Sequence, residues 1–157
     1  MPRTIAIGDI HGCNETLLNL LFDKLEINKD DCIIFLGDYV DRGPNSSGVL
    51  DTIIGLNLNG YQIISLRGNH EQMLLEGLED EDLFGAWLEA GGKQTMQSMG
   101  IDYIEEIPDI YIDFLKSTKM YFRKGEDVFV HGTLNFNLGE GFFEDEDELL
   151  WGRNFET

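Results

Sequence analysis

The stretch CIIFLGDYVDRGPNS (residues 32–46) joins an apolar run directly to a cluster of charged side chains. The run CIIFL predicts a short buried strand. Just past it, Asp38, Asp41 and Arg42 lie within five residues of one another. Aspartate is common in a turn that follows a strand, so a solvated turn is one interpretation. The same Gly-Asp pair occurs earlier, ending at Asp9, which points to a cause shared by both positions.

The surrounding sequence alternates between strand and helix patterns. Further strands are predicted over TIAIGD (4–9) and YQIISLRGN (61–69), because both are short and rich in β-branched residues. Helices are predicted over NETLLNLLFDKL (14–25) and NSSGVLDTIIGLNLNG (45–60), where apolar residues recur at helical spacing. This order predicts an α/β fold with an open layer of parallel strands.

Polar residues follow the first three predicted strands at a regular interval. Asp38 comes 29 residues after Asp9, and Asn69 comes 31 residues after Asp38. Each interval matches one strand–helix–strand unit of about 30 residues. Because ligands bind beyond the carboxyl ends of parallel strands, we expect these three side chains to meet at one edge of the sheet.

The remainder of the chain is predicted to be mostly helical as far as residue 118. A hairpin is then predicted over MYFRKGEDVFVHG (120–132), and it ends at another polar residue, His131. No linker rich in proline, glycine or serine interrupts the chain, so we expect a single domain over residues 1–157.

The composition restricts the possible partners. The 157 residues include 30 acidic and 11 basic ones, which gives a formal charge of −19. This charge argues against nucleic acid or an anionic membrane as a partner, since both attract clustered Lys and Arg. Two cysteines, Cys13 and Cys32, are expected to be buried, unreactive thiols and favour a reducing compartment. Together with the lack of a long apolar segment, this predicts a soluble, cytoplasmic protein.

The residues expected at the strand ends carry metal-binding atoms. Carboxylate, imidazole and amide groups come together in Asp9, His11, Asp38, Asn69 and His131. This set suits Mn, Fe or Zn better than Ca or Mg, and Asp38 would be able to bridge two ions. A pair of metal ions acidifies a shared water and polarises phosphoryl oxygens, as phosphoester hydrolysis requires.

Such a reaction also needs a proton donor and cations that hold the phosphate. His70 would be the donor if a carboxylate orients it, and Asp41 is the natural candidate. Arg42 and Arg153 would bind phosphate oxygens through their guanidinium groups. Taken singly, His70 is also typical of a surface position beside a helix start, and Arg42 of an exposed ion pair. The repeated polar strand ends favour the metal site.

Four motifs, GDIHG, GDYVDRGPNS, RGNHE and FVHG, occur in this order along nearly the whole chain. They resemble those of the PPP-type serine/threonine protein phosphatases of the calcineurin-like metallophosphoesterase superfamily. The resemblance is strongest to the bacterial and phage lambda-type enzymes and to the related symmetrical diadenosine tetraphosphate hydrolases. The segments LEAGGKQTMQSMG and LLWGR are similar to the family's middle helical region and to its later substrate-arginine motif.

The resemblance implies a division of the metal ligands. Asp9, His11 and Asp38 would hold a first ion, and Asp38, Asn69 and His131 would hold a second. The implied ions are divalent, with Mn²⁺ preferred and Fe or Zn as alternatives.

The resemblance also implies the remaining roles. His70 and Asp41 would form the acid pair, and Arg42, Arg153 and Arg67 would contact phosphate on a phosphoprotein or a small phosphorylated substrate. The implied fold is a four-layer α/β/β/α sandwich, in which helices flank two mixed sheets.

The sequence departs from the family pattern in two places. The family has a further metal-binding histidine in a Gly-His-Thr-like segment well beyond the LLWGR motif, whereas this sequence has three histidines, all assigned above. We expect the chain to be a fragment of a longer product, with a naturally short homologue as the alternative. The sequence also has Gly132 where the family usually has alanine, a change expected to have little effect.

Three functions therefore remain open. The preferred one is a serine/threonine protein phosphatase that uses a hydroxide shared by two metal ions. The alternatives are a symmetrical dinucleoside polyphosphate hydrolase and a non-catalytic phospho-ligand-binding remnant that lacks the last metal ligand.

Overall fold

The chain begins with an alternation of strands and helices. The computed structural model describes residues 2–153, apart from the side chains of residues 140 and 142. The strands are β1 (Thr4–Ile7), β2 (Cys32–Phe35), β3 (Gln62–Ser65), β4 (Tyr121–Lys124) and β5 (Asp127–Val130). The α-helices are α1 (Asn14–Leu18), α2 (Ser46–Leu58), α3 (Asn69–Gly77), α4 (Glu81–Trp87), α5 (Lys93–Met99), α6 (Asp109–Ser117) and α7 (Glu146–Trp151). Two π-helical segments (Asn19–Lys24 and Leu88–Gly92) and two 3₁₀ segments (Ile104–Glu106 and Phe136–Phe143) complete the helical structure of the described residues.

The first three strands form a parallel sheet in the order β1-β2-β3. Ile7 pairs with Phe35, and Phe35 pairs with Ser65, so the carboxyl ends of the three strands are level. The loops that follow them therefore start from one edge of the sheet, as the spacing of the polar residues predicts.

Strand β2 lies at the centre of this sheet and has all four side chains buried. Successive side chains of a strand point to opposite faces. Ile33 and Phe35 accordingly belong to the large cluster packed by the helices, and Ile34 belongs to a smaller cluster on the other face. Phe122 and Phe129 of the β4–β5 hairpin pack against that smaller cluster. The layers therefore run from helices through the parallel sheet to the hairpin.

These layers confirm the α/β fold with helices flanking the sheets. The predicted hairpin is present, with β4 and β5 antiparallel. Within residues 2–153, one sheet is parallel and the other antiparallel, and an isolated parallel bridge between Leu66 and Lys119 links the segment before β4 to the end of β3. The single domain over residues 1–157 stays a prediction.

The helices differ in detail from their predicted outlines. The helix expected over 14–25 is α1 continued by a π-helical turn, and the stretch from α4 to α5 bends at Gly91, whose φ is 126°. None of the helices in the described part is both long and apolar enough to span a bilayer. Of the two cysteines, Cys32 is buried as expected, whereas Cys13 at the start of α1 is exposed, which corrects the expectation of a buried thiol.

Candidate metal centre

The loop after β2 carries Asp38 in an unusual backbone conformation. Asp38, Asp41 and Arg42 all have positive φ values, of 54°, 72° and 65°, and His11 in the loop after β1 has a φ of 43°. Residues with a side chain adopt this left-handed region at a cost, and it persists where surrounding contacts enforce it. The two loops support each other, since the backbone N–H groups of Ile10 and His11 donate to the carbonyl of Asp38 at 3.0 and 2.8 Å.

The buried carboxylate of Glu71, on α3, fixes the same loop. Its Oε2 accepts the backbone N–H groups of Asp38 at 2.7 Å and Gly68 at 2.9 Å, and its Oε1 accepts those of Tyr39 at 2.8 Å and Val40 at 3.3 Å. Burial, with the nearby charge of Asp38 as the second cause, raises the pKa of Glu71 to about 7. The backbone hydrogen bonds act in the opposite direction, because they favour the ionised carboxylate.

Two histidines face the carboxylate of Asp38, one toward each oxygen. His11 Nε2 lies 3.4 Å from Oδ2, and His131 Nε2 lies 3.5 Å from Oδ1. The Nδ1 atoms of these rings contact backbone carbonyls, Val40 O at 2.8 Å and Leu36 O at 3.0 Å respectively. A carbonyl only accepts hydrogen bonds, so in each neutral ring Nδ1 carries the proton and an unprotonated Nε2 points at Asp38. Metal-binding histidines are usually held through their second nitrogen in this way.

These contacts bring several hydrogen-bond acceptors together. The amide oxygen of Asn69 lies 3.0 Å from the same Nε2 of His131. Lone pairs on nitrogen and oxygen repel one another at such distances unless a proton or a cation lies between them. Mixed carboxylate, imidazole and amide donors suit a divalent transition metal. The residues present therefore fit the ions that the sequence predicts.

Asp9 joins this cluster from the loop after β1. Its carboxylate lies within 4.8 Å of ligand atoms of Asp38 and His131, while His11, Asp38 and His70 form a second group within the same limit. Asp38 belongs to both groups, which suits a bridging position. The grouping of Asp9 with His131 differs from the division that the resemblance implies, where Asp9 shares an ion with His11.

His70 and Asp41 form a buried pair beside the cluster. His70 Nδ1 lies 2.7 Å from Asp41 Oδ2, and neither residue is more than 1% exposed. Trp87 Nε1 donates to the same Oδ2 at 2.9 Å, and the hydroxyl of Thr95 donates to Oδ1 at 2.7 Å. Asp41 is thus fixed as an acceptor by three neighbours. The ring of His70 meets that of His11 edge-on, with centroids 4.7 Å apart.

A cavity of about 180 Å³ opens over Asp9, Asp38, Asn69 and His131, and its lining does not include His11 or the buried His70–Asp41 pair. Its lining comes from the strand-end loops, from the end of α7 and from the two residues that follow it: Asp9, Asp38, Arg42, Asn69, His131, Gly132, Leu150, Trp151, Gly152 and Arg153. Arg42 and Arg153 therefore bring two positive charges to the same space as the candidate ligands. Arg42 Nη1 also donates to Nε2 of His11 at 2.9 Å.

Arg67 does not line this cavity, and its contact with phosphate stays a prediction. Its guanidinium donates to Thr118 Oγ1 at 3.1 Å, to Gln72 Oε1 at 3.0 Å and to the carbonyls of Leu115 and Lys116 at 3.3 and 3.2 Å. These bonds connect the start of α3 to the end of α6. They use the N–H groups of the planar guanidinium that a phosphate would otherwise bind.

Helix α7 is docked directly on the loop that carries His131. The backbone N–H groups of Gly132 and Thr133 donate to the carbonyls of Leu149 and Glu148 at 2.6 and 2.9 Å. A Cβ atom at Gly132 would lie 2.6 Å from the carbonyl oxygen of Glu148. Glycine is therefore required for this close approach. The change from the family's usual alanine was expected to have little effect, whereas the packing leaves no room for an alanine side chain at this position.

Sequence reasoning missed the side chains that hold the site in place. Glu71 is the last residue of the motif RGNHE, so the sequence around it could have marked it as part of the site. Trp87 and Thr95 lie 46 and 54 residues from Asp41, and no local pattern marks them as its partners. Trp87 reads as an ordinary core residue, which it also is, since it is fully buried.

Comparison with known proteins identifies the family. The sequence model of the family described as calcineurin-like phosphoesterase matches residues 2–155, nearly the whole chain.

Curated relatives include a serine/threonine-protein phosphatase and two symmetrical bis(5'-nucleosyl)-tetraphosphatases. Serine/threonine-protein phosphatase 2 of Escherichia coli is 41% identical over 87 residues, which are 55% of this chain and 37% of that protein. A symmetrical bis(5'-nucleosyl)-tetraphosphatase of Legionella pneumophila is 43% identical over 95 residues, 60% of this chain and 31% of that protein. The protein of the same name from Nitrosomonas europaea is 28% identical over 161 residues, 98% of this chain and 54% of that protein. The chain thus spans 31% to 54% of the length of these three relatives.

Solved structures share the fold at lower identity. A cold-active protein-tyrosine phosphatase of a psychrophilic Shewanella gives a TM-score of 0.65 at 21% identity, over 97% of this chain and 52% of that one. A putative diadenosine tetraphosphatase gives 0.61 at 24% identity, over 83% and 50%. With the family match over residues 2–155 and this shared fold, the chain belongs to the calcineurin-like phosphoesterase family.

Proposed function

We propose that this chain carries the metal-binding part of a phosphoester hydrolase that acts on phosphorylated serine or threonine in proteins. One observation carries the proposal: the carboxylate of Asp38 lies between the Nε2 atoms of His11 and His131, at 3.4 and 3.5 Å. Asp9 and Asn69 add oxygen donors beside them. The name of the E. coli relative, a serine/threonine-protein phosphatase, supports the same substrate class.

These five residues would hold two divalent ions, with Mn²⁺ as the preferred metal. The mixture of carboxylate, imidazole and amide donors supports Mn, Fe or Zn over Ca or Mg. When bound, such ions lower the pKa of water and stabilise negative charge on phosphoryl oxygens.

The two arginines of the cavity would bind the phosphate. Arg42 and Arg153 line the same space as Asp38, which supports contact of both side chains with a phosphate placed there. Each offers paired N–H donors that match two phosphate oxygens. They would also offset the carboxylates around them, which otherwise repel an anionic substrate.

His70 would give a proton to the alkoxide that leaves when the P–O bond breaks. Its Nδ1 faces Asp41, so Nε2 is the nitrogen that would transfer the proton. Asp41 would keep the ring in this orientation and stabilise its charged form. Trp87 and Thr95 hold Asp41 in turn, through the hydrogen bonds to its two oxygens.

We also infer the setting in which the protein works. The net charge of −19 argues against nucleic acid or an anionic membrane as the partner, and it is compatible with a phosphorylated substrate where Arg42 and Arg153 line one cavity. Cys13 and Cys32 are both free thiols, which supports a reducing compartment such as the cytoplasm.

The test is hydrolysis of a phosphothreonine peptide by the purified protein with Mn²⁺. Asp38→Asn keeps the shape of the side chain and removes its charge, so we expect kcat/KM to fall on the order of 10²–10³-fold. The control is Asp30→Asn, an exposed carboxylate before β2, which should leave kcat/KM unchanged. Equal activity of the Asp38 variant and the wild type would rule out the proposed site.

A symmetrical dinucleoside tetraphosphate hydrolase is the second candidate. It is favoured by the relative of that name from N. europaea, which aligns with 98% of this chain. The same metal ligands, the same arginines and the His70–Asp41 pair would serve this reaction. Chromatography separates the two candidates, since two molecules of ADP from each diadenosine tetraphosphate would support this activity and intact substrate would count against it.

The third candidate is a phospho-ligand-binding module without catalysis. It would follow if the ligands of this chain hold only one ion or none. Metal analysis combined with the peptide assay distinguishes it, because it requires no turnover at saturating Mn²⁺.

A further inference from the structure

We infer that Gly91 is a positioning residue for Arg42, because its backbone supports the base of the side chain whose guanidinium would bind the phosphate. This inference rests on the proposed function, since it assigns a support to one of the two arginines of the cavity. Gly91 lies 49 residues further along the chain than Arg42, in the bend between α4 and α5.

Arg42 is an exposed arginine in an unfavourable backbone conformation. Its φ is 65°, in the left-handed region that a residue with a side chain adopts only where contacts enforce it. The long arginine side chain also has many rotamers, and ordering them costs free energy when a ligand binds. Arg42 therefore needs a support within the folded protein if its guanidinium is to be ready for a phosphate.

Gly91 supplies that support through its backbone. Its carbonyl accepts the backbone N–H of Arg42 at 3.2 Å. A Cβ atom at Gly91 would lie 2.9 Å from the backbone nitrogen of Arg42 and 2.9 Å from its Cγ. The backbone of Gly91 therefore lies directly against the first atoms of the Arg42 side chain. Residues with a side chain rarely adopt its φ of 126°, so both the conformation and the close approach require glycine.

The bend that carries Gly91 is fixed on both sides by contacts with Asp41, the residue before Arg42. Ahead of the bend, Trp87 donates from Nε1 to Asp41 Oδ2 at 2.9 Å. Beyond the bend, the hydroxyl of Thr95 accepts the backbone N–H of Asp41 at 2.8 Å. Gly91 is thus held at the place where it meets Arg42. A side chain that rests on such a fixed surface loses less conformational entropy on binding.

A second glycine separates this role from that of a simple break in a helix. Gly100, which follows α5, also has a positive φ, of 70°. No described atom lies within 4 Å of the Cβ atom that it would carry. The two glycines therefore share a backbone that alanine adopts at a cost, and they differ in the contact with Arg42. Gly100→Ala is accordingly the matched control for Gly91→Ala.

Binding of methylphosphonate tests the support without turnover, because its P–C bond is not hydrolysed. Isothermal titration calorimetry of the Mn²⁺-loaded protein gives the Kd. We expect Gly91→Ala to raise the Kd about three- to tenfold, since the Arg42 side chain then has to be ordered on binding. The Kd of Gly100→Ala and the number of Mn²⁺ ions bound by either variant should match the wild type.

A double-mutant cycle shows whether Gly91 acts through Arg42. When Arg42 is already replaced by alanine, Gly91→Ala should have no further effect on the Kd. A general loss of structure would instead weaken binding equally in both backgrounds. Equal Kd values of Gly91→Ala and the wild type, or the same loss with and without the Arg42 side chain, would overturn the inference.

Two further measurements apply if Gly91→Ala does not fold. Gly91→Asn is the second variant, because asparagine tolerates a positive φ better than alanine does, and the same rise in Kd is expected. In the wild type, the backbone N–H of Arg42 should exchange slowly with solvent although its side chain is exposed, since the carbonyl of Gly91 accepts it. Exchange of this N–H as fast as in an unfolded peptide would overturn the inference.

Turnover keeps this inference apart from the proposed function. For a phosphothreonine peptide, we expect Gly91→Ala to raise KM by the same factor as the Kd of methylphosphonate, while kcat changes by less than about twofold. A fall in kcat with an unchanged KM would contradict the role of Gly91. Lack of turnover in a wild type whose methylphosphonate binding depends on Arg42 would contradict the proposed function alone. Lack of methylphosphonate binding by the wild type would overturn the inference.

Discussion

The side-chain oxygen Oε2 of Glu71 accepts the backbone N–H of Asp38 at 2.7 Å, so one buried carboxylate positions another. The same Glu71 binds the N–H groups of Tyr39 and Val40. The left-handed backbone at Asp38, with a φ of 54°, is thus enforced by a residue 33 positions away. This contact, rather than the sequence of the loop alone, explains why Asp38 points its two oxygens toward two different histidines.

Replacing Glu71 by glutamine should destabilise the protein. The amide nitrogen cannot accept a hydrogen bond, so two of the four backbone N–H groups lose their partner in a buried place. We expect the free energy of unfolding to fall by about 2–4 kcal/mol, measured by urea denaturation. Glu79→Gln, at an exposed position just after α3, should change it by less than about 0.5 kcal/mol. Equal stability of the two variants would contradict the positioning role of Glu71.

Replacing Asp41 by asparagine should impair the proton donor and leave the metal ligands in place. Asparagine keeps the shape but loses the charge that orients His70, so kcat should fall about 10²–10⁴-fold. Mn²⁺ binding per chain should be unchanged. Because the two side chains act as one unit, His70→Asn and the double variant should show a similar loss, without additivity. Additive effects on kcat would show that the pair does not work together.

Replacing Gly132 by alanine should displace α7 from the metal centre. The new Cβ would lie 2.6 Å from the carbonyl oxygen of Glu148, which has to move. We expect a loss of about 1–3 kcal/mol in unfolding free energy and a raised KM, because Arg153 follows α7 by two residues and is displaced with it. The control is Gly85→Ala in α4, where nothing lies within 4 Å and alanine should be neutral or stabilising by up to about 1 kcal/mol. Identical KM values in Gly132→Ala and the wild type would contradict this packing.

The ion pair between Arg3 and Asp31 should make stability depend on pH in the acid range. The Arg3 side chain donates to Asp31 at 2.9 Å, and this bond, with the backbone N–H of Asn28, holds the pKa of Asp31 well below its ordinary value. A carboxylate with a lowered folded-state pKa stabilises the fold fully above its unfolded pKa of about 3.9, and this contribution is lost as the pH falls. The stability difference between the wild type and Asp31→Asn should therefore be constant from pH 6 to 7 and shrink below about pH 4.

A difference that grows as the pH falls would contradict this assignment. Urea midpoints measured at each pH provide the comparison, provided that the slope of unfolding free energy against urea stays constant.

The sequence contained enough information to place the edge on which the site is built. Asp9, Asp38 and Asn69 follow strands at intervals set by one strand–helix–strand unit, and parallel strands bring such positions together whatever the side chains do. The helices and the hairpin could also be predicted from the sequence, because the spacing of apolar residues determines which face of an element is buried.

The direction in which individual side chains point could not be predicted from the sequence. Arg67 is two residues before Asn69, yet its guanidinium turns to Thr118, which lies 51 positions further along the chain. The hydrogen bonds from Trp87 and Thr95 to Asp41 likewise depend on how α4 and α5 pack. The positive φ of Asp38 is not dictated by residue type, since any L-residue other than glycine adopts it only under constraint.

The number of Mn²⁺ ions bound per chain tests the metal centre most directly. It can be measured by equilibrium dialysis followed by elemental analysis of the wild type and of Asp38→Asn, with Asp30→Asn as the control. Because Asp38 faces both His11 and His131, we expect two ions per chain in the wild type and in the control, and loss of both in Asp38→Asn. Two tightly bound ions in Asp38→Asn, or none in the wild type, would contradict a dinuclear centre built on this carboxylate.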